Sequence, residues 1–250
     1  MLCVDSFVGA QLILNITEVN DMVEILPETT KTPITMIGKM AGVCWGSDTS
    51  DDDKNYQRGL KCMQSKHGRT FEFPDVYMAI TGHSARVIRE FYTHIGGLPT
   101  RLQESTRYID YSDFDYVVPN SIRFNQEHEL GDDSANQLYT ELMKYISETM
   151  VALDNLKVPR EDIGLCLPLG MVSNIVCKHN LRTLIDMSRQ RMCNRAYHEF
   201  RDLMKELCDA LSEYSKEWKY IVDNMMYEKC HELGYCPEEK SCGKCKKKGD

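Results

Sequence analysis

A glutamate, a serine and an arginine lie close together in "LQESTRYIDYSDFDYVVP", near the middle of the chain. In an extended segment alternate side chains share one face, so Ser105 and Arg107 would point the same way beside Glu104. A guanidinium next to a hydroxyl is suited to hold a phosphate group or a pyrimidine carbonyl. If the segment is extended, it could clamp such a group, with Tyr108 and Tyr111 packed behind it. The residues leave one alternative open, which is a salt-bridged surface loop.

A second group of residues with chemical potential lies at the C-terminal end, in "CHELGYCPEEKSCGKCKKKGD". Its four cysteines are Cys230, Cys236, Cys242 and Cys245. Four thiolates can close a tetrahedral zinc site, and a short lysine-rich tail with no core of its own would gain stability from the metal. The alternative is a disordered tail with reduced thiols. We predict a main domain at 1–228 and a cysteine- and lysine-rich tail at 229–250.

Composition and charge limit the classes of protein to consider. The chain has 250 residues, of which 42% are hydrophobic and 27% charged, and its net charge is −8. This composition is typical of a soluble globular domain, and the acidic balance disfavours a protein that binds duplex nucleic acid. No apolar run is long enough to span a membrane, and the N-terminus shows no secretion signal. We therefore expect a cytoplasmic protein whose seven other cysteines are mostly small core residues.

The elements that must position these residues follow from hydrophobic periodicity and capping signals. The pattern predicts strands at 2–17, 74–82 and 171–180, helices at 33–46, 56–68, 84–94 and 134–156, a helical turn at 158–170, and helices from 181 onward. Ser84 and Ser134 are predicted N-caps, Gly68 a helix stop, and 47–55 an acidic loop. The sum is a single α+β domain with a mixed sheet, long helices and a helical C-terminal half.

The order of several segments resembles the flavin-dependent thymidylate synthases over roughly residues 33–210. That family carries a "GHxSxxEH" segment, a helix ending in "RHR", a serine-centred "S-x-R-Y" motif, and a late "N-x-R…RAQWEIR" stretch. The corresponding segments here are "SKHGRTFEF" (65–73), "QESTRY" (103–108), "PRED…LP" (159–168) and "NLRTLIDMSRQRMCNRAYHEFRDL" (180–203). Collinear order makes the resemblance more specific than any single motif.

The resemblance implies an activity, a set of cofactors and an assembly. It implies reductive methylation of deoxyuridylate (dUMP) to thymidylate by a homotetramer that binds flavin adenine dinucleotide (FAD). NADPH and methylenetetrahydrofolate would be the co-substrates. Arg191 would stabilise charge on the uracil ring and is the implied catalytic residue. The implied dUMP-binding residues are Glu104, Ser105, Arg107 and Arg191, to which this chain's own residues add Arg101. The implied FAD-binding residues are His94, Asn180, Arg182 and Arg195; Gly96 and Gly97 are added because glycine amides can approach a phosphate closely.

Several positions depart from the family pattern. The chain reads "THI" where the family has "RHR", so both motif arginines are absent around His94. Phe73 stands in place of a motif histidine, and Gly164 replaces an arginine that would help hold the nucleotide phosphate. Arg101 could restore one of the missing charges. These departures keep two alternatives open: a flavin enzyme acting on another pyrimidine nucleotide, by one-carbon transfer or hydroxymethylation, or a non-enzymatic nucleotide-binding relative.

Overall fold

The computed structural model describes residues 22–125 and 134–248. The strand predicted at 2–17 lies outside the described residues. The strands are β1 (Val23–Ile25), β2 (Asp75–Ile80), β3 (Thr100–Gln103) and β4 (Ile175–Asn180). The helices are α1 (Pro33–Cys44), α2 (Asp52–Gln64), α3 (Ala85–Phe91), α4 (Asn120–Arg123), α5 (Ala135–Asn155), α6 (Arg160–Ile163), α7 (Leu181–Arg191), α8 (His198–Tyr214), α9 (Lys216–Met225) and α10 (Lys229–Leu233). None of the helices in these ranges has the length and apolar character that a membrane crossing needs.

The strands form one sheet in the order β1-β2-β4-β3. All three strand pairs are antiparallel, so the α+β class is confirmed whereas the predicted mixed sheet is antiparallel in the described part. In the register Asp75 pairs with Asn180, and Arg101 pairs with Cys177. The sheet thus places the start of β2 beside the end of β4, directly before α7 begins.

Two apolar clusters hold the elements together. The larger cluster joins the sheet to α1, α2, α3, α7, α8 and α9, and its largest fully buried side chains include Trp218, Phe91 and Phe200. The smaller one joins α5 and α6 to the segment after β3 through residues such as Phe114 and Met150. The segment that carries Ser105 and Arg107 therefore runs between the two clusters.

A side-chain N-cap begins five of the ten helices in the described residues. The predicted caps are confirmed, since the side chains of Ser84 and Ser134 accept hydrogen bonds from the amides of Val87 and Gln137. The acidic loop predicted at 47–55 is too long, because α2 already begins at Asp52.

Helix α2 begins at Asp52 because the Asp51 carboxylate accepts a 3.0 Å hydrogen bond from the amide of Lys54 and so caps the helix. At the other end α2 stops at Gln64, and Lys66 takes the left-handed conformation (φ 54°). Gly68 begins a short 3₁₀ turn, so its predicted role as a helix stop is wrong.

A buried polar network joins the start of α3 to α8. The Glu199 carboxylate accepts hydrogen bonds from the Ser84 amide (2.6 Å) and hydroxyl (2.7 Å). His83 is buried between Glu199 (3.6 Å) and Glu206 (2.8 Å). Burial alone would lower the pKa of His83, but hydrogen bonds to the two carboxylates raise it from 6.5 to about 9. The network is therefore a charged link between two helices.

We expect His83 to make stability depend on alkaline pH. A histidine with a raised pKa stabilises the fold fully below its unfolded value of 6.5, and the stabilisation is lost as pH rises through about 9. His83→Gln should lower the free energy of unfolding by about 1–3 kcal/mol near neutral pH and by less near pH ~10. Urea unfolding of both proteins across this range measures the difference. A constant difference between them would contradict the ion-pair account.

Candidate active site

Several hydrogen bonds hold the start of α7. Asn180 ends β4 and caps α7 by accepting a 2.9 Å hydrogen bond from the Thr183 amide. The Thr183 hydroxyl donates to the Gly96 carbonyl at 2.5 Å, which holds the 95–100 loop against the helix start. Gly97 has a φ of 69°, and a Cβ there would lie 2.1 Å from Asn180 Nδ2. The structure therefore brings Gly96, Gly97 and Asn180 together, and their contact with FAD stays a prediction.

Gly97→Ala should disturb this loop more than an alanine at another left-handed glycine. Both Gly97 and Gly46 have positive φ, but nothing lies within 4 Å of a Cβ at Gly46. Gly46→Ala thus carries only the backbone strain, about 1 kcal/mol. Gly97→Ala must also displace Asn180, so urea unfolding should show a further loss of about 1 kcal/mol or more. Equal losses in the two variants would mean that the loop shifts freely.

A basic cavity lies beside α7. It has a volume of about 270 Å³ and is lined by Lys66, Gly68, Phe71, Arg182, Ile185, Asp186, Arg189 and Met225. The Arg182 guanidinium lies 2.5 Å from Glu72, and both side chains are partly exposed. Cationic side chains over apolar residues can hold phosphate groups next to a ring system. The donor set therefore fits part of a dinucleotide, and the volume requires the rest to extend outside this cavity.

At the other end of α7, Arg191 is bound on several sides. Its Nε donates to His94 Nε2 at 2.9 Å, its Nη1 to Glu90 at 2.9 Å, and its Nη2 to the Thr93 hydroxyl at 3.4 Å. The guanidinium also lies 4.6 Å from the centre of the Phe200 ring. A guanidinium has five N–H donors, so these contacts orient Arg191 and leave donors for a ligand.

His94 is neutral in this arrangement. Burial first, and then the nearby charges of Arg191 and Arg101, lower the pKa of His94 to about 4. Because His94 Nε2 accepts from Arg191, its proton is carried on Nδ1. His94 can therefore donate a hydrogen bond through Nδ1, and it holds Arg191 without adding a second positive charge.

The Arg101 side chain donates hydrogen bonds to main-chain carbonyl groups. Its Nη1 donates to the Tyr92 carbonyl at 2.7 Å, its Nη2 donates to the His94 carbonyl at 3.3 Å, and the guanidinium lies over the Tyr92 ring. These contacts fasten the end of α3 to β3. A role for Arg101 at a phosphate stays a prediction, and any such role must compete with these carbonyl groups.

The clamp segment is extended only at its beginning. β3 ends at Gln103, and the amides of Tyr108 and Ile109 both donate to the Ser105 carbonyl, which closes a turn. The prediction of an extended "LQESTRYIDY" is therefore wrong beyond β3. The pairing goes on for one bond beyond β3, from the Glu104 amide to the Asn174 carbonyl, and the Glu104 carboxylate accepts hydrogen bonds from the Asn174 amide and side chain.

Within this turn Ser105 and Arg107 stay close, because the Arg107 amide donates to Ser105 Oγ at 3.3 Å. The Arg107 side chain pairs with Glu161 at 3.2 Å on the surface. Tyr111 is buried behind the turn and its hydroxyl donates to Glu104, as the predicted packing requires. Tyr108 is 76% exposed, so its predicted packing is wrong. The turn directs its side chain outward.

Gly164 faces the same turn across a small cavity. A Cβ at Gly164 would lie 3.4 Å from Thr106 Cβ, which is ordinary contact. The cavity has a volume of about 110 Å³, and both residues line it together with Arg160. Arg160 donates to the Tyr108 carbonyl at 3.3 Å. The position of the missing arginine thus adjoins the turn of Ser105 and Arg107.

The tail cysteines do not form the predicted zinc site. Cys230, Cys236, Cys242 and Cys245 line one cavity of about 470 Å³. Yet in residues 22–125 and 134–248 no three histidine, cysteine or acidic side chains are arranged to hold a metal ion. Burial, and then contact with the Cys245 thiol, raises the pKa of Cys230, so the thiol is protonated. The tail instead folds onto α7 and the segment that follows it, where Glu232 pairs with Arg189 at 3.0 Å and Glu238 with Arg195 at 2.9 Å.

Sequence reasoning missed two residues that the structure places at the site. Glu90 lies four residues before His94 and reaches Arg191, and this helical spacing was a usable signal. His179 precedes Asn180 and is fully buried, and neither ring nitrogen has a hydrogen-bond partner among the described residues. Burial, followed by the charge of Arg101, lowers the pKa of His179 to about 3. It is therefore a neutral side chain beneath the site.

Comparison with known proteins gives a consistent family. The family model described as "Thymidylate synthase complementing protein" matches residues 25–215, which is most of the chain. The chain belongs to this family. A curated relative from Nitratidesulfovibrio vulgaris, named "Flavin-dependent thymidylate synthase", is 29% identical over 198 residues and covers 73% of each chain. A relative of the same name from Clostridium tetani is 26% identical over 238 residues, covering 88% of this chain and 92% of its own.

Solved structures support the same fold. A crystal structure of flavin-dependent thymidylate synthase ThyX from Helicobacter pylori, complexed with FAD and dUMP, superposes with a TM-score of 0.59. The two chains are 19% identical, and the match covers 79% of this chain and 98% of the other. A second structure of the Helicobacter pylori protein with FAD and dUMP gives a TM-score of 0.60 at the same identity. The shared fold therefore spans nearly the whole neighbour.

Proposed function

We propose that the protein is an FAD-dependent thymidylate synthase that converts dUMP to thymidylate, with methylenetetrahydrofolate and NADPH as co-substrates. The observation that carries the proposal is the Arg191 cluster at the end of α7, in a chain of this family. Two curated relatives are named flavin-dependent thymidylate synthase. Two solved structures with the same fold contain FAD and dUMP.

Residues along α7 would hold FAD. Arg182, with Lys66 and Arg189 in the basic cavity, offers cations to its phosphate groups, and the Asn180 end of α7 offers a helix start nearby. FAD would supply the hydride that reduces the transferred carbon. The protein residues would bind and orient the reactants, so the chemistry that remains to this chain is positioning and charge stabilisation.

Arg191 would stabilise negative charge that develops on the uracil ring when its C5 carbon is attacked. Its orientation by His94 and Glu90 means that little reorganisation is needed during the reaction. Neutral His94 does not repel Arg191 and can donate through Nδ1 to a bound ring. We therefore assign the catalytic role to Arg191 and a binding and orienting role to His94.

The turn after β3 would hold the phosphate of dUMP. Ser105 and Arg107 share this turn, and the Arg107 guanidinium forms a surface ion pair with the exposed Glu161 carboxylate and lies 5.7 Å from the centre of the Tyr108 ring. Such pairs contribute little energy in water, so a phosphate could replace Glu161. Glu104 fixes the turn to Asn174 and would act as its anchor.

A homotetramer would complete this site. The turn that carries Ser105 and Arg107 and the Arg191 cluster lie on different elements, and a second subunit would complete the site with its own copy of one of them. Three apolar side chains in the segment 95–102 are exposed: Ile95 at 72%, Leu98 at 89% and Leu102 at 75%. Exposed apolar residues next to a site are typical of subunit interfaces.

Two measurements test the function. An absorbance spectrum of the purified protein should show bound flavin, and flavin-loaded protein should release tritium from dUMP labelled at C5. The absence of Arg from position 164 favours one alternative substrate class, a related pyrimidine nucleotide that relies less on its phosphate. Tighter binding of another pyrimidine nucleotide than of dUMP would support that alternative. A protein without flavin and without tritium release would refute the enzyme proposal.

A further inference from the structure

The segment 229–248, here called the C-terminal lobe, packs over the C-terminal end of α7. Glu238 of the lobe pairs with Arg195 at 2.9 Å. Glu232 of the lobe pairs with Arg189 at 3.0 Å and with Lys66 at 2.5 Å. The lobe lies beyond the family match, which ends at residue 215. It adjoins the Arg191 cluster, because Arg191 lines the cavity between α7 and the lobe.

A cavity of about 470 Å³ lies between α7 and the lobe. Its charged lining residues are Arg189, Arg191, Arg195, Lys229, Glu228 and Glu238. Four are basic and two are acidic, although the chain as a whole has a net charge of −8. A basic cavity in an acidic protein attracts anions locally. The volume lies in the range of small-molecule sites and accommodates a ring system with its anionic group.

The charged lining residues differ in whether they already form ion pairs. Glu228 is bound to Lys244, which leaves Glu238 as the carboxylate that faces the cations. The side chains of Arg195 and Glu238 are 43% and 49% exposed, so their ion pair is weak and exchangeable. Within residues 22–125 and 134–248, the Lys229 side chain makes no hydrogen bond or ion pair, and it lines the cavity. Lys229 and Arg195 are therefore the cations available to a ligand.

We propose that this cavity binds an anionic co-substrate of the reaction through Lys229 and Arg195, and that Glu238 occupies Arg195 until the ligand arrives. The inference rests on the proposed function for the identity of the ligand. Two co-substrates share the required chemistry, namely a ring system that carries anionic groups. A nicotinamide dinucleotide would present phosphates, and a folate would present carboxylates.

The test is isothermal titration of the full-length chain with NADP⁺ and with folic acid, neither of which reacts. Lys229→Gln should weaken binding of one probe about 5- to 10-fold, whereas Glu238→Gln should tighten binding of the same probe about 2- to 5-fold. Lys246→Gln and Glu239→Gln are matched controls, because both residues are exposed on the lobe and do not line the cavity. The probe that responds identifies which co-substrate the cavity takes.

Three outcomes would overturn the inference: neither probe binds the wild-type chain, all variants bind both probes equally, or the control variants change binding as much as Lys229→Gln. A loss of FAD or dUMP affinity in Lys229→Gln would also count against it, since the lobe would then act on the fold of the site. Failure of the proposed function would look different, because it would appear as absent flavin and absent tritium release in the wild-type protein.

Discussion

Arg191→Ala is expected to depress turnover by a factor of about 100 or more while the protein stays folded and binds flavin. The guanidinium is held by His94, Glu90 and Thr93, so it is already oriented before substrate arrives. Its removal takes away a preorganised donor at the place where negative charge would develop. Turnover measured as tritium release from labelled dUMP, with flavin content from the absorbance spectrum, gives both quantities.

Two further measurements separate this role from a structural one. Arg191→Lys keeps the charge but cannot serve His94 and Glu90 together, so it should also lose about 10-fold or more in turnover. In both variants the pKa of His94, followed by NMR, should change because the oriented guanidinium is gone. In Arg191→Ala it should rise, since Arg191 is one of the groups that lower it. Arg89→Ala, an exposed position on α3, is the control. Unchanged turnover in folded Arg191→Ala would refute the catalytic assignment.

Local signals predicted the parts of the site that lie on regular elements. Asn180 is a short polar residue between a β-branched run and an amphipathic run, and both the cap and the contact with Gly97 follow from its place at that junction. The spacing of Glu90 and His94 would place both on one face of the helix predicted at 84–94, although α3 ends at Phe91 and His94 lies just beyond it. The sequence could not show that this partner is Arg191, because 97 residues separate it from His94.

The errors arose where contacts between distant residues decided the local structure. Alternation could not show that Glu104 would bind Asn174 and turn the chain away from β3. Cysteine spacing likewise could not show the fold of the tail, because the lobe is placed by pairs such as Glu238 with Arg195. A zinc site requires a tetrahedral arrangement of ligands, and spacing along the chain limits that arrangement without determining it. The proposed boundary at residue 228 stays a prediction.

Arg107→Lys is expected to weaken dUMP binding by about 1–3 kcal/mol even though the positive charge is kept. Arg107 shares a turn with Ser105, and its partner Glu161 is exposed, so the guanidinium is available to a phosphate. A lysine is a point charge and cannot make a two-pronged contact with phosphate oxygens. Isothermal titration of the flavin-loaded protein with dUMP measures the loss, and Glu161→Gln should leave affinity unchanged or improve it.

Arg101→Ala supplies the decisive comparison. If Arg101 compensates for the arginine missing at position 164, its removal should raise the dUMP dissociation constant as much as Arg107→Ala does. The contacts of Arg101 with the Tyr92 and His94 carbonyls favour a different result: a lower melting temperature and a smaller change in dUMP affinity. Gly164→Arg should then tighten dUMP binding, since a side chain at 164 fits beside Thr106 and adjoins the turn. Equal losses from Arg101→Ala and Arg107→Ala, with no gain from Gly164→Arg, would instead place Arg101 at the phosphate.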